Sequence, residues 1–245
     1  MDLKLKDKVA LVTGVGSQIG YGKGIALTLA REGCILALVD IDLEGAEKTA
    51  EEVMDIGSQT IAIKADVTNL EEVDHMVKVT LEKFGRVDIL VNNAGASSAL
   101  KPFVEMTRDE IDYNINVNLY GQINVAKAVL PSMIAQKYGR IVNFSGGMGL
   151  PAISMYGAAK AGIQAFTHSL AMEVGHAGII VNCVFPGLGH TNLIKGAPQE
   201  FVDMLVNQSA LKRTCTPEDM GPIVAFLASD VCSYISGQTI NVHTD

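Results

Sequence analysis

A chain of 245 residues with 48% hydrophobic and 19% charged side chains has enough apolar material for one sizeable α/β core, and it lies far from the composition of disordered chains. A net charge of −8 without a run of Lys or Arg argues against a phosphate-backbone partner, so no nucleic acid is expected. Cys34, Cys183, Cys215 and Cys232 lack zinc-like spacing, and the charged start leads straight into a short apolar run. We therefore expect reduced thiols, no metal, no membrane span and a cytoplasmic address.

Seven short apolar runs, 9–12, 35–39, 60–63, 87–91, 141–144, 179–185 and 239–242, do not alternate with polar residues, which predicts strands buried on both faces of a parallel sheet. Segments of helical period lie between them at 23–31, 43–56, 70–84, 108–136, 155–174 and 217–228. The alternation predicts a single doubly wound Rossmann domain over 1–245, a seven-stranded parallel sheet with helices on both faces. The irregular stretch 188–212 follows a strand end and is expected to cover a ligand crevice.

After the first strand the chain reads Thr13-Gly14-Val15-Gly16-Ser17-Gln18-Ile19-Gly20-Tyr21-Gly22, and a helix follows. Glycines at a strand-to-helix junction let backbone N–H groups approach a pyrophosphate at the helix N-terminus, so Gly14, Gly16, Ser17, Gln18, Ile19, Gly20 and Gly22 are candidate cofactor residues. Asp40 closes the second strand, where a carboxylate accepts hydrogen bonds from an adenosine ribose and repels a 2′-phosphate. Ile41 and Asp42 follow without a compensating cation, which predicts NAD rather than NADP. Tyr156 and Lys160 stand four apart in a helical segment and so share one face. An ammonium beside a phenol favours the phenolate, and such a tyrosine can exchange a proton with an alcohol near neutral pH.

With Asp66-Val67, Asn92-Asn93-Ala94-Gly95, Asn118-Leu119 and Pro186-Gly187-Leu188-Gly189-His190-Thr191 in order along the chain, the sequence resembles the classical short-chain dehydrogenase/reductase family over essentially its whole length. The resemblance implies that Asp66 and Val67 hold the adenine, that Asn93, Ala94 and Gly95 pass beside the cofactor ribose, and that Pro186, Gly187 and Thr191 hold the carboxamide. It makes Tyr156 the general acid/base, Lys160 the ribose-binding residue that lowers the phenol's pKa, and Asn118 the keeper of a relay water. It also implies a homotetramer or homodimer.

Two departures stand out. The glycine loop carries two residues more than the family's, and Gly16-x-x-x-Gly20-x-Gly22 restores a spacing that counting from Gly14 breaks at Gln18. Gly146 occupies the place of the family's substrate-binding serine, which leaves Ser145 for that role, with Ser154 as the alternative. The resulting expectation is an alcohol/ketone oxidoreductase for a substrate with an apolar or cyclic body, since Met148 and Leu150 border the expected pocket. Reduction of a 3-oxoacyl thioester is the runner-up, with Lys101 and Lys195 as candidate basic residues, and a silent NAD-binding scaffold or sensor is the rival of another class. Enoyl reduction requires a wider tyrosine–lysine separation, and the residue seven beyond Tyr156 is Ile163.

Overall fold

A computed structural model describes residues 2–98, 100–187, 189 and 199–243. Strands β1 (Val9–Thr13), β2 (Ile35–Asp40), β3 (Thr60–Lys64), β4 (Ile89–Asn92), β5 (Gly139–Phe144), β6 (Ile179–Pro186) and β7 (Thr239–Val242) form one sheet in the order β3-β2-β1-β4-β5-β6-β7. Every pairing is parallel. The helices are α1 (Tyr21–Arg31), α2 (Leu43–Asp55), α3 (Leu70–Phe84), α4 (Arg108–Ile115), α5 (Gly121–Gln136), α6 (Ser154–Val174), α7 (Gln199–Gln208) and α8 (Pro217–Ala228).

Successive strand residues point to opposite faces, and each face has its own core. Ala10 and Val12 of β1 pack with Ile25 and Leu29 of α1, Val53 of α2 and Val224 of α8. Leu11 between them packs on the other side with Met76 of α3, Val129 of α5 and Leu170 of α6. Burial on both faces is the reason that strands such as β1 and β2 read as unbroken apolar runs. Because β1 has β2 on one side and β4 on the other, the chain winds outward in both directions and leaves a crevice beyond the carboxyl ends of β1 and β4.

Local chemistry sets most helix ends. Asp42 caps α2 by accepting from Gly45 N, Asn69 caps α3, and Thr107 with Glu110 forms a capping box at α4. Two elements differ from the sequence reading. The segment 108–136 is not one helix, because a π-helical turn, Asn116–Tyr120, separates α4 from α5. Such a turn inserts one residue into the helical register and leaves no distinct periodicity in sequence. Residues 199–208, within the stretch read as irregular, form α7. No helix among the described residues is long and apolar enough to cross a membrane.

Candidate active site

A cavity of about 830 Å³ opens beyond the carboxyl ends of the central strands, and Gly14, Asp40, Asn93, Tyr156, Lys160 and Pro186 lie in its wall. Its first part is backbone. Gly14 has φ +76°, and a Cβ there would stand 2.8 Å from Ala94 Cα, so only glycine fits. A Cβ on Gly22 would fall 2.1 Å from Gly14 O, which lets the first turn of α1 lie directly on the end of β1. Gly20 precedes α1 and supplies no side-chain cap, and the first amides of a helix so begun are of the kind that can hold an anion. This close backbone junction, which a Cβ on Gly14 or Gly22 would force apart, fits the pyrophosphate of a dinucleotide.

The extra residues of the loop are taken up in a turn closed by Gly20 N donating to Ser17 O at 3.0 Å. Gly14, Ser17 and Gly20 line the cavity. Gln18 turns away from it, donating from Nε2 to Gly16 O and Gly45 O at 3.0 Å each and accepting from Lys23 Nζ. It pins the loop to α2, and Ile19 is exposed. Any contact of these two residues with a cofactor would therefore be through the backbone, as the loop's sequence expects.

Asp40 lines the cavity beside this loop. Its Oδ2 accepts from Gly16 N at 2.7 Å and its Oδ1 from Asp42 N at 2.9 Å, which holds the carboxylate at the edge of the glycine loop. Asp42 lies beside it in the cavity wall, whereas Ile41 points to solvent. Asn93 donates from Nδ2 to Thr13 O and Gly14 O, and Ala94 N donates to Thr13 Oγ1, so the loop after β4 is tied across β1. Asp66 and Val67 contribute to the frame, not to the cavity wall. The Asp66 carboxylate accepts from Thr68 N and Thr68 Oγ1, and Val67 is buried against Gly121. Gly187 lines the cavity and accepts from Tyr21 Oη at 3.2 Å, while Leu188, His190, Thr191 and Lys195 lie outside the described residues.

Tyr156 and Lys160 leave one face of α6, as their spacing predicts, and both line the cavity although almost wholly buried. Lys160 Nζ donates to Phe144 O at 3.0 Å and stands 5.7 Å from the centroid of the Tyr156 ring. The expected lowering of the phenol's pKa is not what this arrangement yields. Burial raises Tyr156 to about 12 and lowers Lys160 to about 8, because each charged form is penalised in a low-dielectric site. Asn118, fully buried in the π-helical turn, donates from Nδ2 to Asn114 O and accepts at Oδ1 from Ala96 N. The Cβ direction of Gly95 meets both Asn118 Oδ1 and Lys160 Nζ, so these groups converge on the loop after β4.

Ser145 lines the same cavity, as the substrate-oxygen role expects, but its hydroxyl is already engaged by the protein. Its hydroxyl gives its one proton to Lys160 O at 2.9 Å and accepts from Gln164 Nε2 at 2.9 Å, which fixes the end of β5 to α6. Ser154 is exposed at the start of α6. The residue facing the phenol is Gly146, with φ +144°, whose Cβ would lie 3.7 Å from Tyr156 Oη. Gly147, with φ +64°, packs edge-on against the same ring, where a Cβ would be 2.6 Å from Cε1. Sequence reasoning also missed Tyr21, Gln122 and Gln164. Tyr21 carries a visible signal, a large aromatic between two glycines, while the two amides carry none.

A family model described as enoyl-(acyl carrier protein) reductase matches residues 14–244. The chain belongs to the classical short-chain dehydrogenase/reductase family. Among the relatives of this dehydrogenase/reductase is the (2S)-[(R)-hydroxy(phenyl)methyl]succinyl-CoA dehydrogenase subunit BbsD of Thauera aromatica, 38% identical over 97% of this chain and 96% of that protein. The 3-oxoacyl-[acyl-carrier-protein] reductase FabG of Staphylococcus epidermidis is 39% identical over 97% of this chain and 98% of its own. A solved structure of an NAD+-bound xylitol dehydrogenase superposes with a TM-score of 0.92 at 31% identity, covering 99% of this chain and all of that one.

Proposed function

We propose that this short-chain dehydrogenase/reductase interconverts a secondary alcohol and a ketone with NAD, on a substrate whose body is apolar or cyclic. The observation that carries the reading is a buried phenol, Tyr156, open to the same cavity as the Asp40 carboxylate and the uncapped start of α1. Gly14, Gly20, Asp40 and Lys160 would hold the dinucleotide. When bound, the nicotinamide supplies or accepts the hydride, and its oxidised, positively charged form favours the phenolate. The protonated Tyr156 is the form that gives a proton to a ketone oxygen, and the phenolate is the form that takes one from an alcohol. Leu100, Met148 and Leu150 give the wall beside the phenol its apolar character. A silent scaffold has no need of a phenol kept open to the cavity.

Asp40 supports the choice of NAD, because its carboxylate would sit against a 2′-phosphate with Asp42 beside it. Asp40→Ala is expected to reduce the preference for NAD over NADP on the order of 100-fold, measured as the ratio of kcat/KM for the two cofactors. An unchanged ratio would remove Asp40 from this role. The second reading, a 3-oxoacyl thioester reductase, is favoured by the thioesters in the names of the two relatives. Lys101 does not add to it, since its ammonium is paired with Glu110 at 2.6 Å. Turnover on cyclic and aromatic alcohols, compared with 3-oxoacyl thioesters, separates the two readings, and activity on neither overturns both.

We also propose a cytoplasmic homotetramer or homodimer. Tyr113, Tyr120, Ile134 and Met172 are exposed apolar side chains on or between α4, α5 and α6 and support a covered face. Light scattering is expected to give a multiple of 26.0 kDa, and a monomer at micromolar concentration would refute it.

A further inference from the structure

We infer that Gln122 is a positioning residue, which fixes through its side-chain amide the carbonyl that holds the Lys160 ammonium. The inference rests on the proposed role of Lys160 at the cofactor. Gln122 lies on α5, one turn after Asn118, and is 2% exposed. A primary amide so buried destabilises the fold unless its donors and acceptor are used. Here they are, because Oε1 accepts from Phe144 N at 3.1 Å while Nε2 donates to Phe144 O at 2.8 Å. Nε2 also reaches Asn118 O at 3.4 Å.

The ladder between β4 and β5 ends with Asn92 opposite Asn143, so Phe144 has no strand residue beyond that point on the β4 side. The Gln122 amide takes that place and pairs with both peptide groups of Phe144, as a further rung of the sheet would. Asn92 Nδ2 in turn donates to Gln122 O at 3.1 Å, which ties this rung to the end of β4. A carbonyl oxygen has two lone pairs, and at Phe144 one receives Gln122 and the other receives Lys160 Nζ. The ammonium therefore sits where this borrowed rung puts its acceptor. From the other side, Ser145 Oγ holds the Lys160 carbonyl, so the residue is fixed at both its backbone and its charge. The titratable groups facing the ammonium are Tyr156 on its own helix and Cys183 on β6.

The test follows the lysine itself, by Nζ NMR of lysine-labelled full-length protein, with the signal assigned by its loss in Lys160→Met. This readout requires no turnover, so it stands even if no alcohol or ketone proves to be a substrate. Gln122→Met keeps the side-chain volume and removes both bonds to Phe144. It is expected to lower the Lys160 midpoint by about half a unit or more and to reduce kcat about tenfold with KM for substrate little changed. Gln122→Glu keeps the shape, accepts from Phe144 N and brings a negative charge, and it is expected to raise the midpoint by about one unit. A Lys160 midpoint and a pH–rate profile that stay at the wild-type values in the Met variant overturn the inference, whatever the loss of stability. Should that variant not fold, Gln122→Leu, which also removes both bonds to Phe144, is read in the same way, and the rise in the Glu variant, which the added charge alone gives, serves to show that the label reports the Lys160 charge.

Discussion

Tyr156→Phe is expected to retain NADH binding and to lose turnover by about 1000-fold. The phenol makes no hydrogen bond to the described residues, and its ring keeps its contact with Gly147 in the variant. Removing the hydroxyl therefore deletes a proton donor without deleting a fold contact. Stability should stay within about 0.5 kcal/mol of the wild type or rise slightly. Titration of NADH by fluorescence, beside steady-state rates on the best alcohol of the panel, checks both halves. Turnover within tenfold of wild type would show that the proton moves by another route.

Lys160→Met should be inactive and yet more stable at neutral pH. The Lys160 ammonium is almost wholly buried with a neutral carbonyl as its partner, and its pKa of about 8 lies below the ordinary 10.5. Between those two values the unfolded chain binds the proton and the folded one does not, so stability rises with pH across that window. Below about pH 8 the folded protein carries the whole cost of the buried charge. Replacing it with methionine should raise stability by about 1–3 kcal/mol at pH 7, or a few degrees in Tm for a chain of this size. The gain should fade as pH rises from about 8 towards 10.5. Thermal melts at pH 7 and pH 10 test this, and a lower Tm at pH 7 or a gain independent of pH would contradict the account. Phe144 O keeps Gln122 as a donor in this variant, so no carbonyl is orphaned.

What could be read in advance, and what could not, has a physical basis. The central strands were legible because burial on both faces removes polar residues from the run, as at 9–12 and 35–39. Tyr156 and Lys160 were legible as a pair because a helix turns their spacing into adjacency. The state of that pair was not, since burial acts against the attraction between the groups and only the fold shows how deeply both are enclosed. Gln18 has the position of a cofactor residue in the loop, yet its side chain finds Gly16 O, Gly45 O and Lys23, and α2 is invisible from the loop's own sequence. Ser145 is legible as a hydroxyl beside the expected place, and it lines the cavity, but its partners Lys160 O and Gln164 come from α6 and are invisible from the strand's own sequence. The π-helical turn escaped because one inserted residue leaves the apolar spacing on either side almost unchanged.

The stretch opposite the phenol has a consequence for how this enzyme can acquire new substrates. Gly146, Gly147 and Gly149 all hold positive φ, a backbone state in which any other residue is strained. A single base change in those codons would strain the backbone before it could add a useful contact, so these three positions are closed to gradual adaptation. Altered selectivity should instead arise at Leu100, Met148 and Leu150, where side chains already meet the cavity and can be exchanged one at a time.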